Sequence, residues 1–276
     1  GFSNSSPYVI LHPENKIMNK QAKIDYIRTI LSIGRPTIGG WMQIPSPEIA
    51  EIFGNSGFHW VAVDLEHGSI GIPDLPDIFR ALELYNTLPL VRIAGNYPSQ
   101  AVRALEAGAA GIIIPNVQCP SEVEKIYQSI NYPPEGKRGV GFNRSNCYGV
   151  NFDPNLEQKP LLVAMIETKR GVSLLDHIVR GDLMEANRVD AILIGPYDLS
   201  ASLGCTNQFD HPDFLEAIQT IEETCEQHHI PLGVHVVEPD LDKLEKVKKK
   251  GYTFIPYGTD GTFLSSSIQN AIKDDD

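Results

Sequence analysis

The chain has 276 residues, 42% hydrophobic and 21% charged, with a formal net charge of -12. That composition suits one large globular domain, and the acidic balance argues against nucleic acid or an anionic membrane as partner, while leaving an anionic substrate open if a local arginine and a metal reverse the field in a cleft. Cys119, Cys147, Cys205 and Cys225 have neither zinc-knuckle nor redox-pair spacing, no apolar run reaches the roughly 20 residues of a membrane span, and no signal peptide is recognisable, so reduced thiols and a cytoplasmic location are expected.

Residues 1–19 are polar and proline-containing and read as an N-terminal arm; residues 20–276 read as a single domain. Ile24, Ile27, Ile30 and Leu31 have helical spacing. Short β-branched runs then alternate with amphipathic segments. The runs are Thr37–Gln43, Trp60–Glu66, Leu88–Ile93, Gly111–Pro115, Leu161–Glu167, Ala191–Gly195, Leu232–Val236 and Thr253–Tyr257. Helical patterns lie at Pro47–Asn55, Leu75–Tyr85, Ser99–Ala107, Ser121–Ile130 and Asp240–Lys250. Strands alternating with helices imply βαβ units and a parallel sheet, and eight of them imply a closed (β/α)8 TIM barrel. A doubly wound open sheet is the alternative, but its usual glycine-rich loop is missing after the first strand, which continues Trp41-Met42-Gln43-Ile44-Pro45. Residues 131–160 have little regular pattern apart from the fixed turns of Tyr132-Pro133-Pro134 and Arg138-Gly139-Val140-Gly141, and are expected to form an ordered active-site wall.

Barrel chemistry gathers where strands end. Polar groups close the apolar runs at Trp41 and Gln43, at Asp64-Leu65-Glu66-His67-Gly68, at Arg92, at Glu167 and at Gly195-Pro196-Tyr197-Asp198. In strand two the period of two separates Val61, Val63 and Leu65, which should meet helices, from Ala62, Asp64 and Glu66, which should face the barrel mouth. Asp64 fits either catalysis or a structural ion pair, because a buried carboxylate needs a partner. Glu167 and Asp198 are the metal candidates: two carboxylates leave positions open on Mg²⁺ or Mn²⁺, which a 2-oxo acid can fill with its carboxylate and keto oxygens, the metal acting as a Lewis acid on the enolate. Helix capping is the competing role for both residues. Arg92 suits a carboxylate or an enolate oxygen, or an ion pair with Asp64 or Glu66. His67 suits a general acid or base, whereas His235, in Val234-His235-Val236, fits a core position and is set aside. An imine mechanism needs a strand-end lysine; Lys169 lies two residues past Glu167, beside Arg170, and reads as a solvated helix start.

These residues resemble the HpcH/HpaI class II (metal-dependent) pyruvate aldolase family, whose members cleave 4-hydroxy-2-oxo acids and whose fungal relatives include macrophomate synthase. The matching stretches are Gly40-Trp41, Gly57-Phe58-His59-Trp60, Asp64 to Gly68, Leu90-Val91-Arg92, Ala104 to Ala109, Ile114 to Val117, Tyr132 to Gly141, Ile166-Glu167-Thr168, Ile194 to Ser200 and Tyr257 to Asp260. The resemblance implies that Glu167 and Asp198 bind a divalent metal (Mg²⁺, Mn²⁺ or Co²⁺) and that Arg92 holds the 2-oxo oxygen. It makes His67, oriented by Asp64, the acid/base for the aldol hydroxyl. The backbone N–H groups of Tyr197 and Asp198 would receive the substrate carboxylate, with Trp41, Glu66, Gly195 and Pro196 lining the site. It also implies a homo-oligomer, often a hexamer with a swapped C-terminal helix. The sequence departs from the family at Met165, where glutamine is common, and after Arg92, where Ile93-Ala94-Gly95-Asn96 replaces a common proline. Arg144 and Tyr148 are the expected contacts to the distal end of the substrate. The competing functions are decarboxylation of a 2-oxo diacid such as oxaloacetate, a non-catalytic binding barrel, and thioester cleavage.

Overall fold

The computed structural model describes residues 19–150, 159–181 and 188–273; the expected arm, up to residue 18, lies outside them. Helix α1 (Lys20–Ser32) precedes β1 (Thr37–Met42). Then follow α2 (Pro47–Asn55), β2 (Trp60–Asp64), α3 (Leu75–Leu84), β3 (Leu88–Arg92), α4 (Pro98–Ala107), β4 (Gly111–Ile114), α5 (Pro120–Ile130) and β5 (Leu161–Ile166). The second half holds α6 (Lys169–Ser173), α7 (Leu175–Arg180), β6 (Ala191–Ile194), α8 (Pro196–Ser202), α9 (Pro212–Gln227), β7 (Leu232–Val234), α10 (Leu241–Lys249), β8 (Phe254–Pro256) and α11 (Asp260–Lys273). Proline in the first turn starts α2, α3, α4, α5, α8 and α9, where its fixed φ suits the helix and its missing N–H costs nothing. The helical pattern expected from the sequence omits α9, whose buried face is Phe214, Ala217, Ile221 and Cys225.

All strand pairs are parallel, in the order β7-β6-β5-β4-β3-β2-β1-β8. The remaining gap, between β7 and β8, is bridged at Val236 and Tyr257, so eight strands form a nearly closed (β/α)8 barrel. Two apolar cores result. Val61, Val63, Val91, Ile112, Ile114 and Ile192 pack outward against helices, while Trp41, Ala62, Leu90, Ile113, Val163, Met165 and Leu193 fill the interior. Helix α1 closes the N-terminal end, its Ile24, Ile27 and Leu31 joining Trp60, Leu88 and Phe254 of the interior core.

One expectation fails here. Of the expected wall, 151–158 lie outside the described residues; 131–150 follow a helix and 159–160 lead into a strand, and in a βα barrel such positions belong to the N-terminal end, opposite the chemistry. Arg144 is accordingly held between the ends of α3 and α4: it pairs with Glu83 at 2.6 Å and donates to the Ala107 carbonyl at 3.1 Å. Lys20 joins it, donating to the Gly108 carbonyl. Within one chain neither Arg144 nor the exposed Tyr148 belongs to the mouth.

Candidate active site

The mouth is built from the ends of β1, β2, β3, β5, β6 and β7. The alternation in β2 turns Asp64 inward, where it is fully buried, and the register places it beside Arg92 of β3. Arg92 Nε donates to Asp64 Oδ1 at 2.8 Å and Nη2 to Oδ2 at 2.5 Å. The third nitrogen, Nη1, lies 2.9 Å from Glu66 Oε2. Trp41 Nε1 and Gln43 Nε2 also donate to Asp64 Oδ2, at 3.1 and 3.0 Å. Burial alone would raise the Asp64 carboxyl, but Arg92, Gln43 and Trp41 hold it below the usual carboxylate range. Burial likewise disfavours the Arg92 cation, and the paired carboxylates more than offset it. Asp64 therefore fixes the guanidinium, and the structural ion pair and a functional Arg92 are one arrangement.

Asp64 does not orient the His67 imidazole. Its Oδ1 accepts the backbone N–H of Glu66 at 3.0 Å and of His67 at 3.2 Å, which shapes the turn and leaves the His67 side chain exposed at the rim. Trp41 is 1% exposed, with the Arg92 guanidinium 5.0 Å from its ring centre. It supports the arginine and offers a ligand almost no surface.

Glu167 ends β5 and is 4% exposed. Its Oε1 accepts the Asn116 backbone N–H at 2.5 Å; Oε2 is buried and has no partner among the described residues. Burial pushes this carboxyl up to about 7; Asp198 and Glu66 also raise it, and the Asn116 N–H and Arg92 pull it down. Gly195 makes the space: a Cβ there would strike Glu167 Oε2. Capping is not what either acidic residue does. Thr168 caps α6, its hydroxyl accepting the Gly171 N–H. Helix α8 starts from Gly195, with Pro196, Tyr197 and then Asp198 in its first turn. Asp198 is exposed at the rim. An orphaned, buried carboxylate oxygen beside a second carboxylate fits a hard divalent cation. Among the described residues no group of three or more His, Cys, Asp or Glu side chains is placed to hold a metal. Lys169 is exposed at the start of α6.

Sequence reasoning set His235 aside and did not single out Asn116 or Asp260. Asp260 is buried and its Oδ2 accepts the Gln43 and Ile44 N–H groups, both at 2.8 Å, tying the end of β1 to α11. Asn116 takes a positive φ of 51°, a conformation asparagine tolerates better than most residues. No pattern of period or charge marks either; their places after strands and within stretches that resemble the family are the signals that could have found them.

A parallel (β/α)8 barrel with a fixed arginine facing a carboxylate cluster at its C-terminal mouth defines a class of enzyme scaffold suited to anionic, oxygen-rich substrates. The HpcH/HpaI aldolase/citrate lyase profile matches residues 37–267. The chain is 34% identical over 201 residues to a hydroxypyruvate/pyruvate aldolase of Roseobacter denitrificans, covering 71% of this chain and 77% of that one. It is 32% identical over 255 residues to a 5-keto-4-deoxy-D-glucarate aldolase of Escherichia coli, covering 91% and 96%. A solved HpcH/HpaI aldolase/citrate lyase family protein from Burkholderia cenocepacia superposes with a TM-score of 0.82 at 25% identity, over 90% of this chain and 98% of that one. The chain belongs to the HpcH/HpaI aldolase/citrate lyase family and is a lyase of the aldolase type.

Proposed function

We propose that this chain reversibly cleaves a 4-hydroxy-2-oxo acid to pyruvate and an aldehyde, with a divalent metal (Mg²⁺, Mn²⁺ or Co²⁺) held by Glu167 and Asp198. The observation that carries the reading is the buried, unpartnered Glu167 Oε2 in the field of a guanidinium whose own orientation is locked. The relatives named as aldolases favour the same chemistry.

A bound cation supplies Lewis acidity at the 2-oxo group. Arg92 places fixed positive charge where the keto oxygen becomes an enolate oxygen, and Asp64 and Glu66 keep it from moving when that charge develops. A base at the mouth takes the proton from the 4-hydroxyl. The C3–C4 electron pair passes to C3 and the enolate, the aldehyde leaves, and a proton returned to C3 completes pyruvate. His67 is our assignment for that base, acting from the rim directly or through water. The first backbone donors of α8, at Tyr197 and Asp198, are assigned to the substrate carboxylate, beside Gly195 and Pro196. Assembly into a homo-oligomer is part of the same proposal.

The test is an aldehyde screen with pyruvate, with products read by mass. EDTA should abolish turnover, Mg²⁺, Mn²⁺ or Co²⁺ should restore it, and borohydride with pyruvate should leave the protein unmodified. Covalent trapping together with indifference to EDTA would sink the metal mechanism.

A further inference from the structure

His235 sits at the barrel's weakest seam. Strand β7 is three residues long and β8 is three. Near the mouth the two are joined by the Val236–Tyr257 bridge, with Val236 N–H donating to the Pro256 carbonyl and Gly258 N–H to the Val236 carbonyl. Val234 and Val236 pack outward among the helices, so strand alternation turns His235 into the barrel. There its Nε2 lies 3.2 Å from the Gly258 carbonyl. A carbonyl only accepts, so Nε2 carries the proton of a neutral ring. Burial, aided by Arg92, lowers the ring's pKa to about 4, which keeps it neutral at working pH.

The ring also packs against Trp41: the centroids are 4.8 Å apart, with the planes tilted by 37°. Trp41 in turn bonds Asp64 through Nε1 and lies under the Arg92 guanidinium. Gly258, the acceptor of the His235 bond, takes a φ of +65° and packs so closely on Phe263 that a Cβ would collide. Two residues later Asp260 fixes the backbone of Gln43, whose side chain also bonds Asp64. The seam thus reaches Asp64 by two routes, one through the His235 ring and one through the α11 turn.

We propose that His235 is a positioning residue: its ring, locked by the Gly258 carbonyl, buttresses Trp41 and thereby sets the place of Arg92. The bond to Gly258 orients the ring, and the ring face does the positioning. Phenylalanine should therefore replace histidine in catalysis while losing stability at the seam. Alanine should keep neither.

The kinetic arm rests on the aldolase reading. With pyruvate and an aldehyde that the wild type converts, His235→Ala should lower kcat about tenfold or more while changing the KM for pyruvate less than about threefold. His235→Phe should recover most of that kcat despite a lower Tm, a split that a purely structural role does not give. Arg92→Lys combined with His235→Ala should lose little more than Arg92→Lys alone, because both act on one guanidinium. A second arm needs no turnover. Trp41 and Trp60 are the two tryptophans, and Trp60 is stacked on Phe254 in the core. Tryptophan emission of the ligand-free protein should shift in His235→Ala and stay in place in His235→Phe. A folded His235→Ala protein with wild-type kcat, additive losses in the double variant, or unchanged emission overturns the proposal. If the wild type converts no aldehyde, the aldolase reading fails, and the emission comparison alone decides the role of His235.

Discussion

Glu167 shows how much one buried oxygen can say. Its carboxyl is raised from 4.5 to about 7, so in metal-free protein the ionised form is a burden on the fold. A group whose pKa is higher folded than unfolded costs stability above the folded value, and the cost fades as pH falls towards the unfolded value. At about 1.4 kcal/mol per pH unit, the charge costs on the order of 3 kcal/mol at pH 8. Glu167→Gln removes it, keeps an oxygen for the Asn116 N–H, and turns an amide towards acidic neighbours. In EDTA at pH 8 the variant should be about 2 kcal/mol more stable than wild type, several degrees in Tm, with the advantage gone below about pH 5. Adding Mg²⁺ should stabilise the wild type and leave the variant unmoved. A variant less stable than wild type at pH 8 would mean that the carboxylate is already satisfied without a metal. Asp64 has the opposite sign: the same residue class, surrounded by Arg92, Gln43 and Trp41, is held low and strengthens the fold.

At the scale of single elements, the strands were legible in the sequence and so were the groups that end them. Period-two alternation separates Val61 and Val63 from Asp64, and the apolar runs end within a residue or two of the observed strands. Their closing residues Asp64, Glu66, Arg92 and Glu167 do converge. What alternation cannot carry is how a side chain divides its bonds between the neighbouring strand and its own turn. The ion pair of Arg92 with Asp64 and Glu66 was among the expectations, but nothing in the pattern shows that Asp64 also accepts the backbone N–H groups of the β2–α3 turn, leaving the His67 ring at the rim. Nor does it tell an interior histidine at the mouth from one in the core, as His235 shows. Residues 131–150 sit at the other end of the barrel because they follow a helix, and length alone does not tell such a connection from an active-site loop. The rim position of His67 makes its role separable by kinetics. Aldol cleavage must move a proton at the acceptor hydroxyl, and decarboxylation of oxaloacetate must not. His67→Ala should lower aldol cleavage by about 10²–10⁴-fold and leave decarboxylation within about tenfold of wild type. Equal losses in both reactions would show that His67 holds the rim together and transfers no proton.

At the scale of the whole molecule, eight repeats of strand and helix make the barrel readable from the sequence, because each unit needs only local pattern and a parallel neighbour. Assembly is different, since it depends on which surface the fold leaves uncovered. Helix α11 leaves such a surface: Leu264, Ile268 and Ile272, four residues apart, are 53%, 58% and 65% exposed, while Phe263 on the other side packs against Phe53 and Tyr257. An amphipathic helix normally buries its apolar stripe, and an exposed one marks a contact surface. The mouth is open in the same way, with His67, Tyr197 and Asp198 all exposed in a single chain. Both features fit a homo-oligomer in which a neighbour covers α11. Sedimentation of the wild type should give a discrete assembly larger than the 30.5 kDa chain. Leu264→Asp with Ile268→Asp should shift it to smaller species while the circular dichroism spectrum stays unchanged, because neither side chain contributes to the chain's own core. An assembly of unchanged size would place the interface elsewhere, and a monomeric wild type would leave the stripe as plain surface.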